Sequence, residues 1–404
     1  MCRMIRRDLA RIAAMVVAGA IARDARAAPD ADLVAALDAA DGADVVVFDV
    51  PAVAGAPHVR AATTTRAPVA VIARVLGDPA RYAALIPSLV RSEEIGRRGD
   101  ARVVKWELEI PLFNLSGTLE LRARPGGCEL ALVDGDLAPG RIVIEATTRA
   151  DGRTSLTLDA RLDVHNSSFF LRRVMARSPY GEPAALAAAA WVALRATALR
   201  AEHPTDARAF RPTAAFAPST PGATDGRALF RPPLARLARA GAAALVTRAP
   251  SGRLASASAA TLSRETPRAL AARLADVRSW TAFPGWSHVR PMPATATSSA
   301  SVVVEDGIPF VDFDATWRAE PPRWWRATEG AARGAWFGWD VAQAPDASSG
   351  GSSNVSSEAA LTMAPRLELT GSIPRRFIEA EPLLEHGLAL ALTFVDAMSA
   401  TRDR

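Results

Sequence analysis

APVAVIARVLGDPARYAALIPSLVRSEEI, residues Ala67 to Ile95, is an apolar segment that breaks twice before it turns into a strand. Gly77-Asp78-Pro79 ends one short helix and begins another: Asp78 suits the capping position, and Pro79 suits the first helical position. Ile86-Pro87 ends the second helix, because the residue ahead of a proline is pushed out of the helical region. Beyond it the chain turns into a strand. Two short helices set at an angle plug one end of a curved sheet, where a single straight helix would overhang it. A second version of this pattern occurs at RLADVRSWTAFPGWSHVRPM, residues Arg273 to Met292.

Downstream of the first version the chain alternates. In ARVVKWELEI, Val104, Trp106, Leu108 and Ile110 share one face, and Lys105, Glu107 and Glu109 share the other. GTLELRARPGG, CELALVDGD, RIVIEATTRADG and TSLTLDARLDV continue the pattern, with Arg149-Ala150-Asp151-Gly152 as a hairpin turn. Five strands with one wet face predict an antiparallel sheet covered on one side. The Ala-rich helix from about Pro183 to Ala201 is the expected cover. Upstream, DADLVAALDAA reads as a short helix, and ADVVVFDVPAVAGAPHVRAATTTRAP as interrupted extended chain.

Glu202 to Pro233 is rich in Pro, Thr, Ala and Gly, lacks periodicity and reads as a linker. After it come a helix over LARLARAGAAALVTR, an extended run over GRLASASAATLSRETP, the second broken helix pair, and further strands. Ala344 to Ser357 reads as a hairpin loop within this second set, and a helix from about Pro374 to Ala400 closes the chain. The same order thus occurs twice. Aligning Pro68 with Pro267 and Tyr82 with Trp280 gives a spacing of about 200 residues, too long for a solenoid repeat and suited to a duplicated domain. The expected organisation is a signal segment over 1–27, one domain over 45–202, a linker over 203–233 and a diverged copy over 234–402.

This order resembles the helix-grip fold of the START-like superfamily, which includes polyketide cyclases, coenzyme-Q-binding proteins and lipid-transfer domains. The resemblance is carried by Ala67-Pro68 before the first short helix and by Leu76, Asp78, Tyr82 and Pro87 after it. The second copy keeps Pro267, Leu274 and Asp276, has Trp280 in place of the Tyr, and reads Phe283-Pro284-Gly285 at the second break. It implies an α+β fold of two helix-grip domains in tandem. Each would be a curved antiparallel sheet with two short helices and a long C-terminal helix. It does not imply one activity, because the fold serves cyclases, hydrolases and pure binders.

Physical size argues the same way. A helix is about 10 Å across, whereas five strands span roughly 20 Å. The apolar width that one helix leaves uncovered must form a cavity or meet a partner.

At 404 residues, two domains are the natural expectation. The formal net charge is +5, but lysine occurs once, as Lys105, and the arginines are scattered among nearly as many acids. That spread opposes a nucleic-acid-binding stripe. MCRMIRR, then Leu9 to Ala22, then Ala25-Arg26-Ala27 reads as an export signal, placing the protein in the periplasm of a GC-rich bacterium. The alternative is an amphipathic N-terminal helix on a cytoplasmic protein. Loss of Cys2 with the signal would leave Cys128 alone, without an internal disulfide.

No catalytic constellation stands out. The five histidines are dispersed, and the chain has no Gly-x-Ser-x-Gly elbow, no phosphate-binding glycine loop and no dinucleotide fingerprint. No metal or cofactor is expected. Asp312 and Asp314 alternate with apolar residues as on a solvated face, and His165-Asn166 reads as a turn. Seven of the nine tryptophans lie in the second half. They predict an aromatic core, a stacked flat ligand or an interfacial belt for peripheral membrane contact. In Trp324-Trp325 the two rings would face opposite sides of a strand.

The first expectation is therefore a non-enzymatic protein that holds an apolar small molecule: a lipid, isoprenoid or quinone-like compound. Alternation and helix facing give Tyr82, Leu85, Trp106, Leu108, Leu121, Ile144, Leu158 and Trp191 as lining residues in the first domain. Trp280, Phe283, Trp317 and Trp336 are their counterparts in the second. The alternatives are an aromatase/cyclase-type enzyme and an envelope interaction protein with filled cores.

Overall fold

The computed structural model describes residues 31–40, 42–49, 57–86, 88–110, 113–164, 166–167, 172, 179–204, 231–248, 254–282, 288–292, 301–308, 311–320, 324–330, 333–343, 359–363 and 382–402. The N-terminal signal segment, most of the linker, Phe283 and the loop over 344–357 lie outside the described residues.

The first repeat begins with helix α1 (Ala31–Ala39), strands β1 (Asp44–Asp49) and β2 (His58–Thr65), and helix α2 (Val69–Leu76). A single 3-10 turn (Pro79–Arg81) leads to the four-residue helix α3 (Tyr82–Leu85). The backbone breaks at Gly77-Asp78, as the sequence predicts, but the Asp78 side chain makes no capping hydrogen bond. Six strands follow: β3 (Leu89–Arg98), β4 (Ala101–Ile110), β5 (Phe113–Arg124), β6 (Gly127–Gly135), β7 (Gly140–Thr148) and β8 (Thr154–Leu162). Helix α4 (Gly181–Glu202) closes the repeat. It is long and apolar enough to cross a membrane, yet most of its residues are buried inside the protein.

The second repeat has the same order. Helix α5 (Pro232–Ala240), strands β9 (Gly241–Arg248) and β10 (Leu254–Ser263), and helix α6 (Pro267–Ala275) lead to a 3-10 helix (Val277–Ala282). Strands β11 (His288–Met292), β12 (Ser301–Ile308), β13 (Val311–Glu320), β14 (Trp324–Gly330), β15 (Trp336–Gln343) and β16 (Ala359–Met363) precede the closing helix α7 (Pro382–Arg402). Each repeat is a helix-grip unit in tandem with the other. Counted from its leading helix, each starts upstream of the sequence-drawn limits at 45 and 234.

Strand order gives the duplication its firmest form. One antiparallel sheet of 16 strands runs β11-β12-β13-β14-β15-β16-β10-β9-β1-β2-β8-β7-β6-β5-β4-β3. Reading outward from the centre, each half runs first strand, second strand, last strand, then back to the third. The halves join where β1 pairs with β9, Val46 opposite Ala244 and Phe48 opposite Ala242. That junction corrects the sequence reading of one helix over LARLARAGAAALVTR. The helix stops at Ala240, and GAAALVTR is a central strand, because two buried neighbours satisfy its backbone and override the weak strand preference of alanine.

The central strands are covered on both faces. On one side α1 and α5 pack Leu33, Leu37, Leu234 and Leu237 against Val45, Val47 and Leu245. On the other side α4 and α7 lie over the sheet together, with the Phe48 and Phe394 rings edge to face at 4.7 Å. Away from the centre, the sheet continues on each side under a single long helix. In the first repeat that geometry opens a cavity.

Candidate functional site

The cavity lies between the first repeat's sheet and α4 and has a volume of about 210 Å³. Its floor is the inner face of β4 to β8, including Trp106, Leu119, Leu130, Ile144 and Leu158. Tyr82, Leu85, Ile86 and Leu89 close one end, where the double break turns the chain across the sheet. The roof is the α4 stripe Leu186, Ala189, Ala190, Ala193 and Thr197. Spacings of three and four residues keep this stripe on one helix face. Alanine in place of leucine on that face leaves the volume open.

Six of the eight residues chosen from the first repeat line the cavity: Tyr82, Leu85, Trp106, Leu108, Ile144 and Leu158. Leu121 shares their core but lies outside the lining. Trp191 is fully buried one step along α4, at the junction of the repeats, where its indole N–H donates to Asp44 at 3.0 Å. The strand alternation carried most of this selection. Leu137 escaped it, because it sits in the turn after β6 with a left-handed φ of 66°. Asn166 holds that turn: its Nδ2 donates to the carbonyls of Gly135 and Ala138, and its own carbonyl accepts from the Leu137 N–H. The turn role expected of Asn166 is the one it has.

Among the described residues, the lining carries four polar side chains and no charged one. The Tyr82 hydroxyl donates to the Leu76 carbonyl, Ser92 Oγ to Pro79 O at 2.6 Å, and Thr197 Oγ1 to Ala193 O at 2.8 Å. The Trp106 indole N–H is buried and has no partner. Burial raises the Tyr82 phenol well above its usual range. Beside it, burial pushes the Cys128 thiol up to about 12, which suppresses the reactive thiolate.

The core of the second repeat is rich in rings. Trp280 meets Trp325 at 4.6 Å and Phe337 at 5.2 Å, both edge to face, and Trp317 meets Phe337 at 5.0 Å. These four share the main core. Trp336 does not. Strand alternation puts it on the face opposite Phe337, where it packs edge to face with Trp324 at 5.0 Å. The reading of Trp336 as an inward residue is thus corrected: a ring that starts a strand has no helical or strand context to fix its face until the register is known. Trp324 and Trp325 do point to opposite faces, Trp325 buried and Trp324 half-buried over Gly338.

Of the polar clusters outside the cavity, two lie beside the central strands. At the junction of the repeats, Asp44 is 1% exposed; it accepts from Thr63 at 2.5 Å and from Trp191, and it sits 3.6 Å from the Arg248 guanidinium. Arg195 on α4 is buried nearby with its Nε and Nη1 unpartnered, and burial pulls its guanidinium below the usual value while the Asp44 charge opposes that. On the opposite face of the sheet, His58 lies between Asp49 and Asp159, each 2.8 Å from a ring nitrogen, and Arg60 reaches Asp49 at 3.0 Å. Among the described residues no group of His, Cys, Asp and Glu could hold a metal ion.

No family model matches the chain, and no curated protein matches it. Among solved structures, the chain is similar to the di-domain aromatase/cyclase StfQ from the steffimycin biosynthetic pathway. The identity is 9%, over 85% of this chain and 99% of that one, with a TM-score of 0.29. It is also similar to the Zhui aromatase/cyclase from Streptomyces sp. R1128, at 17% identity over 37% of this chain and 95% of that one, with a TM-score of 0.31. A third is a STAR-related lipid transfer protein fragment from Xanthomonas axonopodis, at 14% identity over 41% and 96%, with a TM-score of 0.31.

Proposed function

We propose that this protein binds or carries a small, neutral, apolar molecule in the cavity of its first repeat, without covalent chemistry. The observation that carries the reading is the lining itself. It is a cavity of about 210 Å³ walled by aliphatic and aromatic side chains, with its three hydroxyls turned to backbone carbonyls. Small-molecule pockets usually run from roughly 300 to 1,000 Å³. The occupant is therefore a compact molecule, or the end of a longer isoprenoid, quinone-like or acyl chain whose remainder passes through the mouth. A charged group would lose its hydration there without a counter-charge, so the buried part is neutral.

The second repeat supports the first. Trp280, Trp317, Trp325 and Phe337 fill its inner face, and its central strands complete the sheet on which the first repeat rests. One ligand per chain is the expected stoichiometry. A cyclase-type reaction needs inward acids and bases; the lining supplies a phenol held protonated by burial and two engaged hydroxyls, which favours holding over chemistry. We also propose export to the periplasm, on the N-terminal sequence, and contact with a membrane surface as the route by which an apolar ligand enters or leaves.

Native mass spectrometry of the protein purified from its own host tests the reading. The expected spectrum shows one small neutral molecule per chain. A chain that is bare in every preparation contradicts it.

A further inference from the structure

We infer that the ligand presents one hydrogen-bond acceptor oxygen to Trp106, so that the site selects neutral apolar molecules bearing a carbonyl, ether or hydroxyl over plain hydrocarbons. This rests on the ligand-binding reading above and adds the chemistry of recognition. Trp106 is 7% exposed and lines the cavity, and its indole Nε1–H has no hydrogen-bond partner. A buried unpaired donor costs stability, so one kept in a native core calls for an explanation.

The surroundings narrow the explanation. Among the described residues of the lining, every other polar side chain already has an acceptor in the backbone, so there Trp106 holds the side-chain donor left to a ligand. The ring is also held in place. Trp106 lies opposite Gly117 on the neighbouring strand, and a Cβ at Gly117 would come within 3.2 Å of the indole atom next to the nitrogen. The bare glycine lets the ring lie against the strand, and the adjoining apolar walls leave it no protein acceptor. Because no described lining side chain carries a positive charge, a carboxylate would gain one hydrogen bond and lose its hydration; a neutral oxygen matches the site.

Acetophenone and cumene test the inference, since they match in heavy-atom number and connectivity and differ in the carbonyl oxygen. Calorimetry gives their affinities for the wild-type chain and for Trp106→Phe. The indole ¹H–¹⁵N resonance of Trp106, identified by its absence in Trp106→Phe, reads the contact in the wild type without relying on the variant. The expected result is a resonance shift with acetophenone larger than with cumene, and a loss of about three- to tenfold in acetophenone affinity in Trp106→Phe with cumene binding retained. An unmoved resonance on acetophenone binding, or equal losses for both probes, overturns the inference and leaves the ligand-binding reading standing. If neither probe binds the wild-type chain, the inference and that reading both fail.

Discussion

Trp280 donates its indole N–H to the carbonyl oxygen of Leu274 at 2.9 Å, six residues earlier. In the first repeat the Tyr82 hydroxyl donates to the Leu76 carbonyl across the same interval. Both bonds tie the second short helix back to the end of the first, so the repeats preserve one device with two different rings. Removing either donor leaves a buried carbonyl unpaired. Tyr82→Phe is expected to lower stability by about 1 kcal/mol in chemical denaturation. Because the hydroxyl serves the backbone, the same variant should leave ligand affinity within about twofold. A large loss of affinity at unchanged stability would assign that hydroxyl to the ligand.

Gly117 is the support for Trp106. An added Cβ would meet the Asp134 carbonyl at 2.4 Å and the indole at 3.1 Å. Gly117→Ala therefore forces either the strand or the ring to move. The expected cost is about 1–3 kcal/mol, as for other overpacked sites, with a changed Trp106 indole resonance. A variant as stable as the wild type, with that resonance in place, would contradict the packing described.

How much of this was legible beforehand differs between the repeats. Period-two alternation exposed Trp106, Leu108, Ile144 and Leu158, because each lies in a long regular strand with one wet face. Leu137 was invisible, since a left-handed turn residue belongs to no period. The strand GAAALVTR reads as helix for a similar reason: its conformation comes from β1 and β10 on either side, which local preference does not encode. Trp191 was placed on the right buried face of α4, but which part of the interior that face meets depends on α7, nearly two hundred residues on. The tryptophan-rich half was the hardest, because rings at Trp324, Trp325 and Trp336 suit either side of a sheet.

Asp44 joins the repeats. Asp44→Ala removes the acceptor for Thr63 and Trp191 and leaves the buried Arg195 and the nearby Arg248 without that counter-charge. The expected loss is about 3–5 kcal/mol, the range for breaking a buried charge pair from one side. Denaturant unfolding followed by circular dichroism measures it. A change within 0.5 kcal/mol, about the level of an ordinary surface substitution, would show that the cluster is not holding the junction.

His58 sets a pH dependence. Burial alone would lower its pKa, but the hydrogen bonds and charges of Asp159 and Asp49 raise it above the ordinary value. Burial would raise both carboxyls, yet their bonds to His58 and the neighbouring charges of Arg60, and of Arg161 beside Asp159, hold them below theirs. The stabilisation from His58 is thus complete below pH 6.5 and is lost as pH rises through its raised pKa. That from the carboxyls is present above pH 3.8 and is lost as pH falls through their lowered values. The cluster contributes most in the window between. Comparing His58→Gln with the wild type by thermal unfolding at pH 5.5 and pH 8.5 should give the larger difference at pH 5.5, and an equal or reversed difference would contradict the pairing.

The central claim is that an apolar ligand occupies the space under α4. Ala190 lies buried on the roof of the cavity, where a larger side chain would take the ligand's place. The most direct measurement is a calorimetric titration of acetophenone into the wild-type chain and into Ala190→Phe, with circular dichroism confirming that the variant is folded. The account predicts one equivalent bound by the wild type and none by the variant. Equal binding by both, or no binding by the wild type, would contradict it.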